Sequence, residues 1–135
     1  MAYKIEDIEG IGPAYAEKLA PHGVKTTDDY LQHCCTKKGR AEMAEKSGIS
    51  EKLLLNWANK ADLMRVKGVS SQYSELLEAA GVDTVKELRN RNAENTAAKM
   101  KEVNDEKNLC NASPSAGEVQ KWIDQAKEMD PMISH

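Results

Sequence analysis

The stretch IEDIEGIGPAYAEKL, residues 5–19, contains the pattern that decides the fold of this chain. Gly10 and Gly12 flank a single isoleucine, Pro13 follows at once, and apolar residues are spaced at helical intervals on both sides. Glycine tolerates the backbone conformations of a tight turn, and proline suits the first position of a helix. The stretch therefore predicts two short helical segments joined by a tight turn.

The same pattern occurs a second time in the chain. Residues 8–30 align without a gap with residues 66–88, and seven of 23 positions are identical. More loosely, residues 50–64 resemble residues 115–129, with one tryptophan at the same place in each. Self-similarity of this kind indicates a repeated structural unit, here of about 60 residues.

The repeat divides the chain into two predicted units, residues 1–64 and residues 65–135. Phenylalanine is absent and no alternating strand pattern occurs, so the predicted fold class is all-α. Glycine and proline stops and Ser or Thr caps divide each unit into about five short helices. No glycine or proline interrupts residues 50–67, which predicts a long central helix shared by the two units.

The local signals also place individual elements. Other helices are expected near residues 4–9, 26–34, 38–46, 71–79, 84–90 and 94–106. Capping boxes are predicted where Thr84 precedes Glu87 and where Ser115 precedes Glu118. The two tryptophans, Trp57 and Trp122, are interpreted as core residues of amphipathic helices rather than as ligand contacts.

Composition limits the classes of function. The chain has 19 Lys and Arg against 22 Asp and Glu, a net charge of −3, whereas a dedicated duplex binder usually has a basic excess. No apolar run approaches the roughly 20 residues that span a bilayer, and the first ten residues lack the apolar core of a signal peptide. A cytoplasmic protein without membrane contact is expected.

The cysteines give no framework of disulfides. Cys34 and Cys35 are adjacent and Cys110 stands alone, and this odd count fits a reducing compartment. His33 beside the pair raises the possibility of a metal site, but no Cys-x-x-Cys spacing or second ligand pair accompanies it. Structural thiols are favoured, and no metal or cofactor is predicted.

The first turn and its spacing resemble the helix-hairpin-helix motif, with apolar residues before the two glycines and Ala16 and Leu19 after them. The stretch AEKSGISEKLLLNWA, residues 44–58, resembles a weaker second copy. Two hairpins joined by a connector helix form the double helix-hairpin-helix domain, so the resemblance implies two tandem SAM-like units. The layout is also similar to small bacterial proteins described as a domain of unknown function with helix-hairpin-helix character.

The resemblance also implies candidate nucleic-acid contacts, because backbone amides of such turns bind a DNA phosphate without reading the sequence. The candidate residues are Gly10, Ile11 and Gly12 in the first turn, Gly48, Ile49 and Ser50 in the second, and Gly68, Val69 and Ser70 in the third. Lys60, Arg65 and Lys67 are expected to flank the third turn. The fourth position, residues 111–115, has no hairpin glycine.

Charges near the turns differ. The first turn is surrounded by carboxylates, Glu6, Asp7 and Glu9, which oppose a phosphate about as strongly as the helix dipole attracts it. A basic cluster further on, comprising Lys37, Lys38 and Arg40, is interpreted as a solvated face.

Two functions therefore remain open. The first is non-enzymatic, non-sequence-specific binding of a nucleic-acid backbone through the hairpin turns. The alternative is a protein-interaction or scaffolding module with the same fold and no DNA binding, since a fold does not determine function. No phosphate-binding loop, catalytic pattern or small-molecule site is evident, so catalysis is not expected.

Overall fold

The structure, a computed structural model, describes residues 3–134. Within them the chain is helical, with no strand beyond one isolated antiparallel bridge between Lys4 and Thr26. The α-helices are α1 (Pro13–Leu19), α2 (Thr27–Cys34), α3 (Lys37–Ser47), α4 (Glu51–Leu63), α5 (Ser71–Ala79), α6 (Val85–Leu88), α7 (Ala93–Lys107) and α8 (Ala116–Lys127). Two 3-10 helices cover Ile5–Asp7 and Ala20–His22. The predicted all-α class is confirmed.

Six of these helices have a side-chain N-cap. The caps are Thr26, Thr36, Ser50, Thr84, Asn92 and Ser115, each accepting a hydrogen bond from a backbone N–H in the first turn. Each such cap stabilises its helix by about 1 kcal/mol. The predicted capping box at Ser115 is formed in both directions. At Thr84 the hydroxyl accepts from the N–H of Glu87 at 3.3 Å, which is the forward half of the predicted box.

Two clusters of buried apolar side chains hold the helices together. The first core draws on α1–α4 and the segments beside them. The second core draws on α5–α8, on the segment before them and on Leu63 at the end of α4. The predicted inward face of α4 is confirmed, since Leu54, Trp57, Ala58 and Ala61 are all buried in the first core. The corresponding buried face of α8 consists of Val119, Trp122, Ile123 and Ala126.

The prediction of a long central helix over residues 50–67 is wrong, because α4 ends at Leu63. The N–H groups of Arg65 and Val66 donate to carbonyls only three residues back, at 3.1 Å each, which tightens the chain into a turn. This turn sends Met64 into the first core and Val66 into the second. Packing against two cores therefore ends the helix where no glycine or proline marks a stop.

The first predicted helix is also shorter than expected. The 3-10 helix Ile5–Asp7 occupies the middle of the range 4–9, and its one buried side chain is Ile5. About five helices were expected in each unit. Each half of the described chain has four α-helices, and both 3-10 helices lie in the first half. None of the described helices is long and apolar enough to cross a bilayer.

Candidate nucleic-acid interface

The first turn (residues 10–12) and the third turn (residues 68–70) are built in the same way. Gly10 and Gly68 both have positive φ angles, +95° and +96°, which disfavour a side chain. A Cβ at position 10 would lie 3.2 Å from Nε1 of a tryptophan, Trp57, and a Cβ at position 68 would lie 3.0 Å from its counterpart in α8. Both glycines are therefore required by backbone angle and by close packing.

A tyrosine packs on each of these tryptophans. The rings of Tyr15 and Trp57 have centroids 4.9 Å apart in an edge-to-face arrangement. The rings of Tyr73 and Trp122 are 5.2 Å apart and tilted. Because such pairs contribute about 1 kcal/mol beyond their buried area, they fix the helix after each turn against the last helix of its half. The two tryptophans are therefore core residues, and each packs beneath one of the turns.

The helices after these two turns begin without a side-chain cap. The residue before α1 is Gly12, and the hydroxyl of Ser70 before α5 makes no capping hydrogen bond. Every other α-helix in residues 3–134 has one. The first three N–H groups of α5 therefore remain available as donors at the positive end of a helix dipole, whereas α1 begins with Pro13, which has no N–H, and offers only two.

The second turn, residues 48–50, already uses two of its three N–H groups, those of Gly48 and Ile49, whereas the first and third turns each use one, that of Ile11 or Val69. The N–H of Ile49 donates to Oγ of Ser47 at 3.2 Å, and Oγ of Ser50 accepts from the N–H of Leu53 at 3.3 Å. Gly48 has a φ of +76° and closes α3. This turn joins two helices and offers fewer free amides than the first and third turns.

Lysines lie beside the third turn. Lys67 and Lys121 are exposed and, together with Gly68, line a groove of about 420 Å³. The exposed carboxylate of Glu118 lies in the same groove, so the local charge is a net of one positive. Lys121 was not among the residues predicted from the sequence, because it lies on α8, more than 50 positions after the turn.

The predicted contact residue Arg65 is engaged in contacts within the protein. Its Nη1 donates to Oδ1 of Asp62 at 2.6 Å, and its Nη2 donates to the carbonyl of Asp130 at 3.0 Å. The other oxygen of Asp62 accepts from the N–H of Val85 at 2.9 Å. Arg65 is 18% exposed and Asp62 is 1% exposed, so this ion pair joins α4, α6 and the end of the chain.

Lys60 lies at a different turn from the one predicted. Its Nζ donates to the carbonyl of Glu9, at the first turn, at 3.3 Å. In the second half, Gln125 makes the equivalent contact, since its Oε1 accepts from the N–H of Lys67 and its Nε2 donates to the Lys67 carbonyl. The repeat aligns Glu9 with Lys67 and Lys60 with Gln125. The two contacts therefore join corresponding positions of the repeat, although the alignment alone does not show that these positions touch.

The predicted basic cluster at Lys37, Lys38 and Arg40 is only partly a solvated face. Both lysines are exposed, but Arg40 is 3% exposed. Its Nη1 donates to the carbonyls of Cys34 and Cys35, at 3.0 Å and 3.1 Å, near the end of α2. The negative end of a helix dipole attracts a cation, which explains why this guanidinium is held inside.

The cysteines are free thiols. Cys34 is buried and burial raises the pKa of its thiol to about 11, which keeps it protonated at neutral pH. A protonated, buried thiol is a poor nucleophile and a poor metal ligand. Within the described residues no group of three or more His, Cys, Asp or Glu side chains is arranged to hold a metal ion.

A cavity of about 300 Å³ lies between α4, α5 and the end of α7. Its lining combines Glu75 and Glu78 of α5 with Lys60 and Lys107. One carboxylate oxygen of Glu78 is buried without a hydrogen-bond partner. Burial raises the pKa of Glu78 above its ordinary value of 4.5, and the Lys60 ammonium opposes this shift in part.

The Glu78→Gln variant is expected to be more stable than the unaltered protein at pH 7, by about 1 kcal/mol, because a buried charge is removed. An acid with a raised pKa contributes stability while it is protonated, below pH 4.5, and loses this contribution as the pH rises through the folded-state value. The advantage of the variant should therefore shrink toward pH 4. Urea denaturation at pH 7 and pH 4 measures the difference in unfolding free energy between the variant and the unaltered protein. Glu102→Gln, at an exposed position, is the control. An equal advantage at both pH values would contradict this account.

Comparison with known proteins gives a family but no function. A search of curated proteins and a search of solved structures each returned no significant match. The family model described as "Domain of unknown function (DUF4332)" matches residues 9–129. This range begins one residue before the first turn and ends two residues after α8, so it contains the eight α-helices of the described residues. The chain belongs to this family.

Proposed function

We propose that the chain is a non-enzymatic module that binds the phosphate backbone of nucleic acid without reading its sequence. In this proposal the two units, residues 1–64 and 65–135, are tandem double helix-hairpin-helix domains. One observation carries it: α5 begins without a side-chain cap three residues after Gly68, and Gly68 lies in a groove that the exposed residues Lys67 and Lys121 also line.

The chemistry of this turn suits a phosphate. Free N–H groups at the start of a helix donate to phosphate oxygens, and the helix dipole adds about half a positive charge there. The two lysines supply mobile cations that tolerate different backbone positions. Contacts of this type hold a duplex or single strand in place and carry no base information.

The other turns contribute less in this proposal. The first turn, residues 10–12, leads into a helix of only seven residues and is surrounded by the exposed carboxylates of Glu6, Asp7 and Glu9. At the second turn, residues 48–50, two of the three N–H groups already have partners inside the protein, and Ser50 caps α4. We therefore place the main contact at the third turn.

The test is an anisotropy titration of labelled 20-nucleotide single- and double-stranded DNA at about 50 and 200 mM salt. Lys67→Glu is expected to weaken binding by about tenfold and to reduce the salt dependence by about one counterion. Lys86→Glu makes the same charge change on an exposed residue of α6 and is expected to have little effect on a local contact.

A second variant separates binding from folding. Ser70→Asp places a carboxylate where it can cap α5, so it should keep or raise the melting temperature while removing the free amides that a phosphate needs. Loss of DNA binding in a protein that melts no lower is the expected result. If neither DNA binds at low salt, or if Lys67→Glu and Lys86→Glu weaken binding equally, the proposal fails. Gly12→Asp applies the same test to the first turn.

The alternative function, protein interaction or scaffolding, is favoured by a different observation. The net charge is −3, and the first turn exposes three carboxylates. A surface of this kind suits a basic protein partner better than a polyanion. Absence of DNA binding in the titration above would leave this alternative as the proposal.

A further inference from the structure

The last described segment, residues 130–134, has no regular secondary structure and reaches back to the first half of the chain. The carbonyl of Asp130 accepts from Arg65, as described above. Ile133 is half-buried and packs against the first core. The N–H of Ser134 donates to the carbonyl of Cys35 at 2.9 Å. The segment thus contacts the end of α2 through its backbone and the first core through the Ile133 side chain.

Arg40 completes this contact. Its Nη1 binds the two carbonyls near the end of α2, and its Nη2 donates to the carbonyl of Ser134. A buried guanidinium therefore joins a helix end to a peptide backbone 94 positions later. We call the Cys35 carbonyl, the Arg40 guanidinium and the apolar surface that receives Ile133 the Arg40 site.

The segment that fills the Arg40 site is held by few contacts. Pro131 and Met132 are exposed, Ser134 is exposed, and only Ile133 is partly buried. Segments with few buried apolar groups open at a lower free energy than the fold as a whole. The segment is therefore placed to leave while the helices remain folded.

We propose that the Arg40 site is a peptide-binding site that the chain fills with its own residues 130–134 and that takes the C-terminal end of a partner protein in their place. The partner segment is extended, has an aliphatic residue at the position of Ile133, and ends in a free α-carboxylate at the position of Ser134. Residues 130–134 act as an intramolecular competitor.

The contacts determine this chemistry. A backbone N–H that pairs with a fixed carbonyl, together with an apolar surface for one side chain, recognises an extended peptide. Arg40 binds a carbonyl oxygen at the last position of the segment. A guanidinium binds a carboxylate about twice as strongly as a neutral acceptor and can engage both of its oxygens. A chain that ends at this position would therefore bind better than a chain that continues.

The test uses the full chain with Ile133→Asp, which expels the segment from the apolar surface. The probe is a fluorescein-labelled Asp-Pro-Met-Ile-Ser peptide with a free carboxylate, followed by anisotropy. Binding to this variant is expected to be at least about tenfold tighter than to the unaltered chain, where the tethered segment competes at a millimolar effective concentration. Met132→Asp, at the exposed neighbour, should behave like the unaltered chain.

Two further probes test the chemistry. The same peptide with a C-terminal amide should bind several-fold more weakly, and a peptide with Asp in place of Ile should not bind. Ser134→Pro removes the N–H donor without adding charge, so it should open the site as Ile133→Asp does; circular dichroism checks that both variants keep their helices.

Several results would overturn the proposal. They are equal binding of the peptide to Ile133→Asp, Met132→Asp and the unaltered chain, or equal binding of the acid and amide peptides by folded variants. If the unaltered chain is instead a dimer in sedimentation velocity and Ile133→Asp is a monomer, a second copy fills the site and the partner peptide is rejected.

Discussion

Asp62→Ala is expected to lower the free energy of unfolding by about 3–5 kcal/mol, because it leaves the Arg65 charge and the Val85 N–H without their shared acceptor. Asp62 is 1% exposed and accepts from both groups, at 2.6 Å and 2.9 Å. Urea denaturation followed by circular dichroism measures the loss.

Two further variants divide this loss into its causes. Asp62→Asn keeps an oxygen that can accept from the Val85 N–H but removes the charge, so its loss should be smaller than that of Asp62→Ala. Asp105→Ala removes an exposed carboxylate that pairs with Lys101 at 3.0 Å on α7. Exposed pairs of this type contribute at most about 0.5 kcal/mol. Equal losses for Asp62→Ala and Asp105→Ala would show that the buried pair does not join α4 to α6.

Gly68→Ala is expected to lower the free energy of unfolding by about 2–5 kcal/mol. Two effects contribute to this loss, and the Gly81→Ala variant separates them. Gly68 and Gly81 have the same φ, +96°, so alanine at either position meets a backbone penalty of about 1–2 kcal/mol. At Gly81 a Cβ meets nothing within 4 Å, whereas at Gly68 it lies 3.0 Å from Nε1 of Trp122. The difference between the two variants, about 1–3 kcal/mol, measures the clash.

The double variant with Trp122→Phe checks this assignment. The smaller ring removes the indole nitrogen that the new methyl group would meet, so part of the loss from Gly68→Ala should be recovered. Thermal and urea denaturation give the coupling. If Gly68→Ala and Gly81→Ala cost the same, the tryptophan does not set the shape of the third turn.

Local signals predicted the elements that local chemistry determines. Thr26, Ser50 and Ser115 begin helices because their hydroxyl oxygens can accept from N–H groups three residues later, and this is readable in the sequence. The apolar spacing of α4 likewise placed Trp57 and Ala61 inside. The division into tandem hairpin units stays a prediction, supported by the matching turns at Gly10 and Gly68.

The errors come from contacts between distant residues. The end of α4 at Leu63 depends on two cores that compete for neighbouring side chains, and no local residue marks it. The burial of Arg40 depends on carbonyls of α2 and of Ser134, so a charge pattern alone predicts the opposite. Periodicity and capping rules contain no information about such pairs.

The candidate site was predictable in part for the same reason. A glycine turn can be read from neighbouring residues, so the third turn was found at Gly68. Lys121, which lines the groove beside this turn, lies on α8 and could not be found in that way. The contact of Lys60 with Glu9 was not predictable, because its counterpart between Gln125 and Lys67 is also visible only in the structure.

The backbone contact between Cys35 and Ser134 also affects the order in which contacts form while the chain is being synthesised. The helices α1–α4 leave the ribosome first and have a core of their own. Arg40, however, receives one of its three acceptors only after a further 94 residues have been made. Contacts between distant positions form late and slow folding, because the intervening chain must first be ordered. A nascent chain should therefore carry a folded first half whose Arg40 side chain stays partly hydrated until residue 134 has been made.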